Sequence, residues 1–154
     1  MTEHDQSERS SHHPQSLEFV QKSSPPLATV VLVDDDPDVA TVEAMLLFCA
    51  GFTVFTAHTG ADGIQLINRV HPDLVVLDID LPDMSGIDVC LRLKAETKTK
   101  QIPVVFCSGN PELFTKAFAA GGAACVEKPG DIVKLPPRVI QVLKDEQDKG
   151  SCSH

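Results

Sequence analysis

Four short polar groups each follow directly on an apolar run. Asp34-Asp35-Asp36 follow Val30 to Val33, Asp78 follows Val75 to Leu77, Ser108-Gly109-Asn110 follow Val104 to Cys107, and Glu127-Lys128-Pro129 follow Ala123 to Val126. An apolar run that ends on a polar turn is the pattern of a buried parallel strand, and open α/β sheets place their chemistry at those C-terminal strand ends. Carboxylates gathered along one such edge repel each other unless a cation or a lysine neutralises them. Oxygen-only donors, without His or Cys, favour Mg2+ or Mn2+. A carboxylate beside a divalent ion, a lysine and a small hydroxyl is equipped to accept a phosphoryl group. The ion and Lys128 balance the charge on the equatorial oxygens, and Ser108 donates a hydrogen bond to one of them. Asp78 is then the nucleophile, since it leads directly off the central strand.

Taken singly, each group has a plain structural reading. Asp34 to Asp36 serve as an acidic turn and helix cap, Asp78 as a turn residue, Lys128 as a surface lysine and Ser108 as part of an ordinary turn. Their common placement, each at the end of an apolar strand and in chain order, argues for a site.

The elements that must position them alternate. Thr29 to Val33 read as a strand. Residues Pro37 to about Cys49 read as a helix, with Val39, Val42, Met45/Leu46 and Cys49 on one face at helical spacing. Asp36 is a natural cap, and Pro37 sits where a first turn tolerates it. Phe52 to Thr56 and Leu74 to Leu77 form further strands, with a helix from Gly60 to Val70 between them, buried through Ile64 and Ile67. The next helix, Ile87 to about Lys94, turns Ile87, Cys90 and Leu91 inward, and Lys94 to Lys100 form a solvated loop. Ile102 to Cys107 and Ala123 to Val126 are strands either side of a helix from Pro111 to about Ala120, buried through Phe114, Ala117 and Phe118. In the last helical pattern, Asp131 to Leu143, Pro136-Pro137 predicts either a turn and then a helix starting near Pro136, or a bent helix. Five β/α repeats give an α/β fold, a doubly wound five-stranded parallel sheet.

Composition narrows the class. A chain of 154 residues, 42% hydrophobic, holds one domain with a core of Val, Leu, Ile and Ala, since it has seven Phe but neither Trp nor Tyr. We divide it into a disordered leader (1–26), a domain (27–144) and a flexible tail (145–154). The leader is polar, although Leu17-Glu18-Phe19-Val20 offers a segment that can fold back. The formal charge of −9, without a Lys/Arg cluster, argues against DNA as a partner. No apolar run reaches the roughly 18 residues of a membrane span, and no secretory signal opens the chain, so we expect a cytoplasmic protein. The five cysteines have irregular gaps and no zinc spacing; His12-His13 and the Cys152/His154 pair read as incidental.

From about Thr29 to Leu143 the sequence resembles the receiver domains of two-component response regulators. The resemblance rests on Val-Leu-Val-Asp34-Asp35-Asp36-Pro37, on Leu77-Asp78-Ile-Asp-Leu-Pro82-Asp-Met-Ser-Gly86, on Phe-Cys-Ser108-Gly and on Glu-Lys128-Pro129, with 30 residues from Asp78 to Ser108 and 20 from Ser108 to Lys128. It implies the flavodoxin-like strand order 2-1-3-4-5. It also implies that Asp78 takes a phosphoryl group from a sensor histidine kinase or histidine phosphotransfer protein. Asp35 would be a direct Mg2+ ligand and Asp34 would act through water. The backbone carbonyl of Asp80 would complete the metal shell, with Ser108 the switch hydroxyl and Lys128 the salt-bridge lysine. Members hydrolyse their own aspartyl phosphate, and Asp80 and Asn110 would flank the water that does so. Such a protein is a signalling switch rather than an enzyme in the usual sense.

Three positions depart from the family pattern. Cys125 stands where an aromatic ring is usual, Gly130 stands where phenylalanine often follows Lys-Pro, and Pro136-Pro137 fall in the last helix. All three touch the face the family uses for output or phosphorylation-dependent dimerisation, so the chemistry reads as intact and the readout as unusual. The residues after Leu143 are too few for a DNA-reading domain. If the chain is the complete protein, the expectation is a stand-alone receiver acting on an unidentified protein target. A scaffold that acts by binding alone is the alternative; a flavodoxin-like cofactor binder is disfavoured because three aspartates at the first strand end would repel phosphate.

Overall fold

The computed structural model describes residues 18–19 and 27–151. Most of the leader, His12-His13 and the Cys152/His154 pair lie outside the described residues. In chain order the elements are β1 (Glu18–Phe19), β2 (Thr29–Val33), α1 (Pro37–Cys49), β3 (Thr53–Ala57), α2 (Gly60–Val70), β4 (Leu74–Leu77), α3 (Gly86–Ala95), β5 (Val104–Ser108), α4 (Phe114–Ala119), β6 (Ala124–Glu127) and α5 (Leu135–Ser151). Short 3-10 turns precede α4 (Pro111–Leu113) and α5 (Ile132–Lys134).

The sheet order is β1-β3-β2-β4-β5-β6. The five strands from β2 onward pair in parallel, in the doubly wound order expected from the sequence. The addition is β1, which pairs antiparallel with the edge strand, Glu18 opposite Phe55 and Phe19 opposite Val54. Its Phe19 ring lies 5.8 Å from that of Phe48 on α1. Part of the sequence read as leader therefore covers a sheet edge that would otherwise offer unpaired backbone groups.

Alternation along the strands divides the core into two layers. Val30 and Leu32 face α1 and α5 and pack with Leu47, Phe52 and Val139. Val31 and Val33 face the opposite side and pack with Ile67, Val89, Leu93 and Phe106. The orientation of α1 differs from the expected one. Ala40, Glu43, Ala44 and Leu47 are buried, while Val42 and Met45 are about half exposed and Cys49 is exposed. The helix is apolar nearly all round, so helical spacing fits two faces, and the small Ala pair lets α1 lie close on the sheet. Similarly, Leu91 and Phe118 are half exposed, and Val89 with Leu93, and Ala117, fill the interior of α3 and α4. The Lys94 to Lys100 segment is tied down at two points: the buried Thr99 hydroxyl donates to Leu93 O at 2.7 Å, and Lys94 Nζ donates to Ile102 O at 2.8 Å.

At the C-terminal end, the first of the two alternatives holds. A short turn leads into a helix whose opening residues include both prolines, where missing N–H groups leave no intrahelical bond unmade. The helix then continues well past Lys144, to Ser151.

Candidate phosphoryl-accepting site

Each functional side chain is placed by the end of a strand. Asp34 follows β2, and its backbone N–H donates to Ala57 O, so the chain is still held in sheet geometry there. Its carboxyl group is buried: Oδ1 accepts from Asp36 N–H at 3.0 Å and Oδ2 from Lys128 Nζ at 2.5 Å. Asp36 turns away as the cap of α1, accepting from Asp38 N–H and Val39 N–H. Asp35 remains exposed beside the pair. His58 Nδ1 lies 2.8 Å from the Asp34 carbonyl and ties β2's end to that of β3.

Asp78 follows β4 and is 5% exposed. Its Oδ2 accepts from Lys128 Nζ at 3.1 Å, and its Oδ1 accepts from Asp80 N–H at 3.2 Å. Gly86 makes this position possible. A Cβ there would lie 1.9 Å from the Asp78 carbonyl oxygen, so only glycine lets α3 start against the strand end. The intervening loop is anchored by Asp83, whose carboxylate accepts from Gly60 N–H at 2.7 Å and Ala61 N–H at 2.9 Å at the start of α2. Those two N–H groups hold the exposed Asp83 carboxyl below the usual carboxylate range.

Lys128 follows β6. Its backbone N–H donates to Ser108 O at 3.0 Å, and its peptide bond to Pro129 is cis. One ammonium thus bridges two carboxylates from different strands. Burial alone would lower the Lys128 pKa, but Asp34, Glu43 and Asp78 outweigh it and raise it. Burial raises the Asp78 pKa, and Lys128 offsets part of that rise.

The carboxylates of Asp34, Asp35 and Asp78 each bring an oxygen within 4.8 Å of the others. That set fits a hard divalent cation, since it offers charged oxygens and no nitrogen or sulfur. Asp80 stands apart: its side chain accepts from Asn110 Nδ2 across the mouth of the site. Ser108 is fully buried at the end of β5, where its hydroxyl accepts from Asn110 N–H at 3.1 Å. The structure therefore gathers Asp34, Asp35, Asp78 and Lys128 in one cluster, with Ser108 at the adjoining strand end and Asp80 with Asn110 above it. Sequence reasoning missed Glu43 beneath the cluster, Asp83 behind it and His58 beside it. For Glu43 the available signal was an acid flanked by Ala40, Ala44 and Leu47 in the apolar middle of α1.

The match to the response regulator receiver domain covers residues 30–140. The chain belongs to that family. The cell cycle transcriptional regulator CtrA of Caulobacter vibrioides is 39% identical over 118 residues, which is 75% of this chain and 50% of that protein. The transcriptional regulator RpaA of Synechocystis is 32% identical over 117 residues, 75% of this chain and 48% of that protein. The chain thus spans about half the length of the curated relatives it matches. A CheY-like receiver domain protein from Methanospirillum hungatei shares the fold, with a TM-score of 0.73 over 80% of this chain and 98% of that one, at 23% identity. As a receiver domain, the chain is a phospho-accepting signalling module. No described helix is long and apolar enough to cross a membrane.

Proposed function

We propose that Asp78 is the phosphoryl acceptor and that its donor is a phosphohistidine on a sensor kinase or phosphotransfer protein. The observation that carries this is the Lys128 bridge, one buried ammonium bonded to both Asp34 and Asp78. In the transfer, an Asp78 carboxylate oxygen forms an O–P bond as the P–N bond to the donor imidazole breaks, and the leaving nitrogen keeps the electron pair. Lys128 stands where charge collects on the phosphoryl oxygens, and Ser108 is the hydroxyl within the same edge of the sheet. Asp34 and Asp35, with Asp78 and the Asp80 carbonyl, would hold Mg2+ (or Mn2+). When bound, that ion supplies neutralisation of phosphoryl charge. Return to the resting state is hydrolysis of the aspartyl phosphate, with Asp80 and Asn110 beside the water's approach. The downstream effect is a changed protein contact, with phosphorylation-dependent dimerisation as one form of it.

Intact mass after incubation with Mg2+ and acetyl phosphate tests this reading. The parent chain gains about 80 Da, the mass of one phosphoryl group, and Asp78→Asn stays folded and gains nothing; equal labelling of that variant would falsify the assignment. A scaffold that binds without switching is the second reading. Cys125 favours it, because a small thiol cannot swing a ring between two positions, and a labelled parent whose partner affinity ignores the label would leave that reading standing.

A protein donor also needs a surface. A groove of about 530 Å³ opens beside the site, lined by Val39, Val42, Lys128, Pro129 and Ile132. The half-exposed Val42 gives it an apolar floor next to the acceptor. Val42→Asp is expected to slow transfer from a phosphohistidine protein about tenfold or more while labelling by acetyl phosphate stays near the parent rate. Equal loss with both donors would mean that Val42 serves the fold rather than docking.

A further inference from the structure

Ile79 to Gly86 form the loop between β4 and α3. It carries Asp80, whose backbone carbonyl is the one main-chain ligand of the metal site proposed above. A side-chain carboxylate can rotate to meet an ion, whereas a backbone carbonyl is aimed only by the path of the chain. The rest of Asp80 is committed: its N–H donates to Asp78 Oδ1 at 3.2 Å, and its side chain accepts from Asn110 Nδ2. The loop closes at its base through Gly86 N–H to Ile79 O at 2.7 Å, with Asp80 opposite Ser85. That bond uses the Ile79 carbonyl and leaves the Asp80 carbonyl outside it. At the tip, Pro82 and Asp83 are exposed, so burial does not fix them.

The first turn of α2 holds the tip instead. Asp83 Oδ1 accepts from Gly60 N–H at 2.7 Å and Oδ2 from Ala61 N–H at 2.9 Å. Met84 lies over Gly60, where a Cβ would come within 2.5 Å of Met84 Cγ, so the same turn takes an apolar contact beside the polar one. The helix has a cap of its own, since Thr59 Oγ1 accepts from Asp62 N–H at 3.0 Å, and the exposed Ala61 N–H would otherwise be met by water. The two bonds to Asp83 thus do more for the loop than for the helix. Groups that orient metal ligands act on affinity without touching the ion. Resting on the metal site proposed above, we infer that Asp83 is a positioning residue for that site: its clasp on the first turn of α2 sets the path of the loop and thereby the aim of the Asp80 carbonyl.

The test titrates the full chain with Mn2+ alone. Electron paramagnetic resonance reads binding, because the sharp six-line signal of the free ion fades when it is bound, and far-UV circular dichroism reads the fold. Asp83→Ala is expected to weaken Mn2+ binding about 3–10-fold, at or below the low end for residues that orient metal ligands directly. That variant also loses a charge near the site. Ala61→Pro keeps the charge and removes one of the two donors, in a first helical turn where proline is tolerated; it is expected to weaken binding about threefold. Thr59→Ala loosens the same helix start without touching the loop and is expected to bind as the parent does. An unchanged affinity for Asp83→Ala overturns the inference. So does a parent-like Ala61→Pro, which would leave only the charge at work, or an equal loss in Thr59→Ala, which would make the effect a general one of the helix start. Should Ala61→Pro lose its folded spectrum, Asp83→Glu, which keeps the charge but displaces the carboxylate, takes its place with the same outcomes. An unfolded Asp83→Ala overturns the inference as well, since the clasp would then hold the domain rather than aim one carbonyl. Asp35→Ala separates the two readings. If it binds Mn2+ as the parent does, the metal site itself is overturned; if it is weakened while Asp83→Ala is unchanged, Asp83's part alone falls.

Discussion

Asp80 and Asn110 come from different loops, yet one hydrogen bond joins them beside Asp78, whose Oδ1 accepts from Asp80 N–H. On the function proposed above, the water that hydrolyses an aspartyl phosphate passes that bridge. Asn110→Ala removes the donor and leaves Asp80 free to move, so the phosphorylated form is expected to decay several-fold faster, about 3–10-fold for one hydrogen bond. Following intact mass after the phosphodonor is removed measures this. An unchanged lifetime would mean that the bridge does not gate water. Most residues of the candidate cluster were legible in the sequence because each stands at the end of an apolar run: Asp34, Asp78 and Ser108 directly after Val33, Leu77 and Cys107, and Lys128 one residue after Val126 and Glu127. Glu43 carried only a weak signal, since an acid within a helix reads as a solvated position until its burial is seen.

The loop from Asp78 to α3 depends on a second element for its shape. Thr59 caps α2 through Asp62 N–H, and Asp83 reaches back to the two preceding N–H groups. The loop after Asp78 is thereby bolted to a helix start, where a carboxylate also faces the favourable end of the dipole. Asp83→Asn is expected to cost about 1 kcal/mol, as for a lost cap. Because Asn keeps one acceptor oxygen, Asp83→Ala should cost more. Urea unfolding followed by circular dichroism gives both numbers, and the absence of Trp and Tyr makes intrinsic fluorescence a poor substitute. At this scale strand ends were more legible than helix faces. A strand's two-residue period leaves little choice, whereas α1, α3 and α4 carry apolar residues on several sides, and which side turned inward was decided by whether small residues let the helix approach the sheet.

Across the molecule, the sheet separates two core layers, and β1 closes its lateral edge beside β3. The parallel sheet was legible from five β/α repeats, and its strand order from the family resemblance. The pairing of β1 was not, since two strand residues in a polar segment carry no period to detect. Glu43 links this whole fold to pH. Its carboxyl has an ordinary value of 4.5 and is pushed up to about 8 in the folded chain, chiefly by burial. Below the ordinary value the group is protonated whether the chain is folded or not, so it adds no pH dependence there. As pH rises, the unfolded chain releases this proton and the folded chain does not. Stability therefore falls by up to about 1.4 kcal/mol per pH unit across that window and levels off once the folded group ionises. Glu43→Gln has no proton to release there. Its stability relative to the parent should grow by a few kcal/mol between pH 5 and pH 8, read from urea unfolding of both chains at each pH. Parallel curves would show that Glu43 is already ionised in the fold, with Lys128 shared among three carboxylates rather than two.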